Sequence, residues 1–129
     1  MPVHAREPVL SVRCTFPDGI TTKFAKELSK QERAGGFSDV VFDQIDLAAG
    51  TARLIGNIGV ETVQAFRGDN AIHLVEFTGS GNLIVTTIFN VAQISPSNRV
   101  PVVHSRHVNL SGSGPFPSQY WGYCISLLP

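Results

Sequence analysis

The residues with the most chemical potential sit on three short segments: Leu74-Val75-Glu76-Phe77, Val102-Val103-His104-Ser105-Arg106-His107 and Ser118-Gln119-Tyr120-Trp121-Gly122-Tyr123. Glu76 stands inside an apolar run. Turned toward a core, its carboxyl would be surrounded by hydrocarbon, and desolvation would raise its pKa toward that of a general acid or base. Turned outward, it would pair with an arginine on a neighbouring strand. The sequence leaves both open, because a one-residue change of register at the Thr78–Asn82 turn flips every side chain that follows.

On a strand, His104 and Arg106 share one face while Ser105 and His107 share the other. His104 with Arg106 suits an anionic or carbonyl-bearing ligand, since a guanidinium forks onto a carboxylate through two hydrogen bonds. The competing reading is a polar outer face. His104 and His107 fall on opposite faces and no cysteine or acid follows nearby, so no metal site and no cofactor are expected. His73 lies on the face opposite Glu76 and reads as a satisfied strand residue; Thr86 and Thr87 read as β-formers. Tyr120 and Trp121 form either an aromatic wall for an apolar ligand, with the tyrosine hydroxyl as a polar tip, or a barrel seam or oligomer contact. No Gly-x-Ser-x-Gly elbow is present, and Gly79-Ser80-Gly81 and Ser111-Gly112-Ser113-Gly114 lack the lysine and following helix of a phosphate cradle.

The elements that must carry these groups are strands. Val40–Ile45, Thr51–Ile55, Val60–Phe66, Ala71–Phe77 and Leu83–Phe89 follow one another, separated by short glycine-rich turns. Strands at such spacing indicate an antiparallel sandwich or barrel, and connections this short exclude crossover helices. Leu10, Val12, Cys14 and Phe16 alternate with Ser11, Arg13 and Thr15, which defines an earlier strand. Pro17-Asp18-Gly19 supplies turn chemistry after it. Ile20–Ala25 reads as a strand, followed by a short helical or irregular stretch to Arg33 that Gly35-Gly36 ends. Val100–Leu110 and Gln119–Leu128 complete the set. The expectation is a single all-β domain over residues 1–129, a closed, mainly up-and-down antiparallel β-barrel of eight or nine strands with at most one short helix.

The Val40–Phe89 meander resembles the middle of a calycin-type barrel, the class that includes the lipocalins, in pattern rather than in motif. The Gly-x-Trp signature of lipocalins is absent, and the single tryptophan, Trp121, lies near the C-terminus. The resemblance implies a barrel whose interior takes one small ligand. Both faces of the Ala71–Phe89 hairpin are apolar, so both should be covered. One side is the barrel interior. With so little helix to cover the other, a second copy is the expected lid, giving a homo-oligomer, dimer or higher.

Formal charge is zero, with ten basic and ten acidic residues, and no acid follows Glu76. Nothing in that balance draws nucleic acid or an anionic membrane. All three lysines, Lys23, Lys26 and Lys30, lie close together and read as a solvated surface. Met1–Pro8 lacks the apolar run of a signal peptide, so the chain reads as cytoplasmic; an exported form stripped of its leader would read the same, apart from Met1. Cys14 and Cys124 fall on the first and last strands, neighbours in a closed barrel. Cys14 alternates with apolar residues, whereas Cys124 alternates with Tyr120, Gly122 and Ser126, so free thiols are favoured over a bridge. Asn109-Leu110-Ser111 is a glycosylation sequon by letter. Three functions remain in order: a small-molecule-binding barrel using Glu76, His104, Arg106, Tyr120 and Trp121; a metal-independent isomerase or cyclase with Glu76 or His104 as acid/base; and a structural module packed solid.

Overall fold

The computed structural model describes residues 9–26, 28–56, 59–110, 112 and 114–128. The expectations for Met1–Pro8, for the Asn57-Ile58 turn and for the sequon's Ser111 lie outside them. The strands are β1 (Leu10–Ala25), β2 (Leu28–Asp46), β3 (Thr51–Gly56), β4 (Gly59–Gly68), β5 (Ala71–Phe77), β6 (Leu83–Phe89), β7 (Val100–His107), the two-residue β8 (Asn109–Leu110) and β9 (Gly114–Pro115), and β10 (Ser118–Ser126). Eight of them close in the order β1-β10-β7-β6-β5-β4-β3-β2, every pair antiparallel, while β8 and β9 form a small separate hairpin. This is an up-and-down barrel, calycin-like at the level of architecture. A single 3-10 turn, Val91–Gln93, is the only helical element among the described residues. No helix among them is long and apolar enough to cross a membrane.

Two asparagines make the turns at one end. Asn70 (φ 47°) and Asn90 (φ 55°) take the left-handed conformation that asparagine tolerates better than most side chains. The Asn70 side chain also accepts the Ala92 N–H at 2.9 Å, which ties the 3-10 turn to the β4–β5 hairpin.

Alternation decides the interior. Val12, Cys14 and Phe16 of β1, Phe42 of β2, Ala52 of β3, Val63 and Ala65 of β4, Ile72 and Leu74 of β5, Ile88 of β6, Val100 and Val102 of β7 and Cys124 of β10 make one buried cluster. It fills the middle of the barrel and leaves a hollow toward each end.

Three expectations are corrected. Pro17-Asp18-Gly19 is not a turn but a bulge inside a continuous β1: the register against β10 shifts between Thr15 and Asp18. Proline brings no N–H to the ladder, so a bulge is where a strand can hold it. Both neighbouring strands make room with glycine. A Cβ at Gly36 of β2 would strike the Phe16 carbonyl oxygen, and one at Gly122 of β10 would strike that of Thr15. Second, the segment after Ala25 is not helical. β1 and β2 pair without interruption from Asp18↔Gly35 to Ala25↔Leu28, and past Thr21, where the pairing with β10 ends, they run on as a two-stranded arm with Lys23, Lys26 and Lys30 near its tip. Below the arm Arg33 grips Asp18 across the same two strands at 2.9 and 3.1 Å. Third, Cys14 and Cys124 are joined as a disulfide. They are direct cross-strand partners in the β1–β10 ladder, and both face inward with no exposed surface.

The bridge closes a loop of 110 residues between the first and last strands of the barrel. Restricting so long a loop in the unfolded chain stabilises the fold by about 2–5 kcal/mol. Urea unfolding with and without reductant should show a loss in that range, matched by Cys14→Ser; equal midpoints would contradict it.

Candidate functional site

The hollow on the arm side of the barrel has a volume of about 180 Å³, room for roughly six water molecules at ~30 Å³ each. Its walls are Phe37, Val40 and Phe42 of β2, Leu54 of β3, Val63 of β4, Leu74 and Glu76 of β5, Ile84 and Thr86 of β6, and His104 and Arg106 of β7. Seven of these are hydrocarbon. The polar four come from three consecutive strands. The ladder puts Glu76 opposite Ile84, Ile84 opposite Arg106, and Thr86 opposite His104. A second hollow of about 350 Å³ at the barrel mouth shares Leu54 and Glu76 with it and adds Glu61.

Glu76 points inward. Burial, first, and then a hydrogen bond and charge repulsion from Glu61 push its pKa from 4.5 up to about 7, against a smaller pull downward from Arg106. Near neutral pH this carboxyl can therefore both hold and release a proton.

His104 is hydrogen bonded through Nδ1 to Thr86 Oγ1 at 2.7 Å. Its ring lies 5.4 Å from Phe16 and 5.1 Å from Phe37, centre to centre. Desolvation, followed by the Arg106 charge, lowers its pKa to about 4, so the imidazole is neutral at physiological pH. Phe16 and Phe37 stack at 4.6 Å, and Tyr120 meets Phe37 edge-on at 4.7 Å.

Of the five residues singled out from sequence, Glu76, His104 and Arg106 line one hollow. Tyr120 is the cross-strand partner of His104 and packs behind it and Phe37 rather than at a rim. Its ring also covers Gly19, where a side chain would collide with it. Trp121 does not join them. It lies on the outer wall, 40% exposed, over a groove with Pro17, Arg33, Pro101 and Tyr123. The reason is the bulge: β10 meets it with Gly122, Cys124 and Ser126 turned inward, and Trp121 and Tyr123, at the alternate positions, face out. His73 is also on the outer face, bonded to Thr87 at 2.8 Å.

Two contributors were not anticipated. Glu61 shares the inward face of β4 with Val63 and Ala65, an alternation readable in the sequence had its register been known. Thr86 carries no such signal, since any strand threonine looks alike.

The opposite end of the barrel holds a larger hollow of about 390 Å³, walled mainly by aliphatic side chains such as Ile45, Ile72 and Ile94. Arg67, Ser95 and Ser126 also line it, and the Ser126 hydroxyl is already committed to the Leu128 carbonyl at 2.7 Å. Among the described residues, no group of three His, Cys, Asp or Glu side chains is placed to hold a metal ion. Comparison with known proteins adds no relative: no family model, curated protein or solved structure matches the chain.

The two shifted groups act on stability in opposite senses. Between pH 4.5 and about 7 the folded protein keeps the Glu76 proton that the unfolded chain has released. That contribution is complete below pH 4.5 and is lost as pH rises to about 7. For His104 the unfolded chain takes up a proton below pH 6.5 that the fold refuses until about 4, so its contribution is complete above pH 6.5 and is lost as pH falls to about 4. Calorimetric melting between pH 4.5 and 6.5 should therefore rise more steeply with pH in Glu76→Gln than in wild type, and less steeply in His104→Gln. Curves parallel to wild type would contradict the placement of both groups.

Proposed function

We propose that this protein binds a small, largely apolar molecule with one carboxylate or carbonyl head in the arm-side hollow. The observation that carries this reading is the convergence of Glu76, His104 and Arg106 on a space otherwise walled by hydrocarbon. Ligand sites have this composition: apolar walls with a few polar groups that fix orientation. Arg106 receives the head near the mouth, and the apolar part rests on Val63, Leu74 and Phe42. The hollow is smaller than the usual ligand site, so a compact ligand, or the end of a longer one that continues into the mouth, is the fit. Lipocalin-type barrels offer the same arrangement of a closed meander around an interior site, and this protein is proposed to use its barrel similarly. The larger hollow at the far end has volume in its favour but less chemistry, since its Ser126 is already engaged.

Native mass spectrometry of protein purified from its own host should retain a small-molecule adduct. With hexanoate as a probe, Arg106→Gln should weaken binding roughly 10–100-fold, the worth of hydrogen bonds to a charged group. Unchanged affinity would overturn the role of Arg106.

A second reading is enzymatic. Glu76, poised near neutrality beside Glu61, can move a proton to or from a bound molecule without a metal. If it does, a retained ligand with an acidic C–H bond will take up deuterium from heavy water in the wild type and not in Glu76→Gln. Equal uptake in both would remove this reading and leave the binding one standing.

The buried disulfide bears on the compartment. Such bonds persist where the surroundings are oxidising. The bridge therefore favours an exported setting over the cytoplasmic one expected from the N-terminal residues.

A further inference from the structure

We infer that the outer wall formed by β4, β5, β6, β7 and β10 is a self-association face that docks against the same wall of a second copy of this chain. These strands are consecutive around the barrel. At their outward positions, all among the described residues, there is no aspartate, glutamate, lysine or arginine. The rest of the circumference differs: Arg13 faces out from β1, and an Arg53–Asp43 ion pair bridges β3 and β2. Interface cores lose charged residues and gain aromatic ones in this way.

The wall also carries area. Phe66 is 50% exposed, Phe77 69%, Phe89 38% and Trp121 40%. At 150–250 Å² per aromatic side chain, these four leave roughly 300–500 Å² uncovered. A standard interface buries about 800 Å² on each partner, and Val60, Val75 and Val85 lie between and beside the aromatics to supply more.

A second copy is the occupant that this wall matches. Part of its polar surface is already bonded within it: His73 to Thr87 at 2.8 Å, and the Gln119 side chain donating to Ser105 at 3.0 Å. With no charged residue at its outward strand positions, and arginines only at its β10 border (Arg33 beside Trp121, Arg99 over Tyr123), the middle of the wall sets no like charges against each other when it meets its own image across a rotation axis. Zero net charge removes the long-range repulsion that would hold two copies apart. A lipid surface fits less well, since β1 to β3 carry charges outward and the packed interior is apolar.

Sedimentation velocity of the full chain over a wide dilution series tests this. Wild type should sediment as a dimer or higher species. Val75→Lys, a charge placed mid-wall, should weaken association at least about tenfold. Phe77→Ser, at a highly exposed position outside the core, should weaken it in the same direction without risk to folding. Ser38→Lys, at an exposed position of β2 across the ring from β6, should leave it unchanged. A wild type that stays at the mass of one chain throughout, or an oligomer that Val75→Lys and Phe77→Ser both leave intact, would overturn the inference.

Discussion

The pairing of β1 with β10 is the interaction on which the rest of the molecule depends. It joins the first strand to the last, and it fixes which side of every strand faces inward. Val12↔Ser126 and Cys14↔Cys124 set the register, and the disulfide locks it at the centre of the core. From there the two-residue period of each strand carries inward orientation around the ring to Val102, Thr86, Leu74 and Val63. Had the closure formed one residue out of step, Glu76, His104 and Arg106 would stand in water, and Val75, His73 and Ser105 would line the interior.

The β1 bulge shapes both the site and the surface. Because Thr15 and Phe16 press toward their neighbours there, β10 can place only glycine and small side chains inward at that level. Trp121 and Tyr123, at the alternate positions, lie on the surface; Arg99 stacks over Tyr123 at 4.0 Å. Beyond the bulge β1 continues into the arm, and Phe37 reaches from β2 to roof His104. The neutral imidazole thus owes part of its apolar cover to Phe16 and Phe37, which flank this irregularity.

Much of this was legible in the chain, and the rest was hidden for definite reasons. The meander from Val40 to Phe89 could be read because alternation and turn residues agreed along its length. That His104 and Arg106 share a face followed from strand periodicity alone. The arm was obscured because Pro-Asp-Gly, a run of helix formers and Gly-Gly all signal locally, whereas the deciding interactions are cross-strand pairs such as Asp18 with Arg33. The disulfide was obscured because inside and outside were inferred from polarity. On β10 polarity misleads: the inward side carries Tyr120, Gly122, Cys124 and Ser126, and the outward side carries Trp121, Tyr123 and Ile125. Glu61 was missed for want of a register, and Thr86 because a hydroxyl reveals its partner only in three dimensions.

The central claim is that the arm-side hollow, with Arg106 and Glu76 at its edge, is where a ligand sits. Methyl-resolved NMR during titration with a short-chain carboxylate addresses it most directly. The account predicts that the methyl signals of Leu54, Val63, Leu74 and Ile84 move together while those of Leu10, Leu47 and Ile94 stay in place. Movement confined to the second group, or no movement in either, would contradict it.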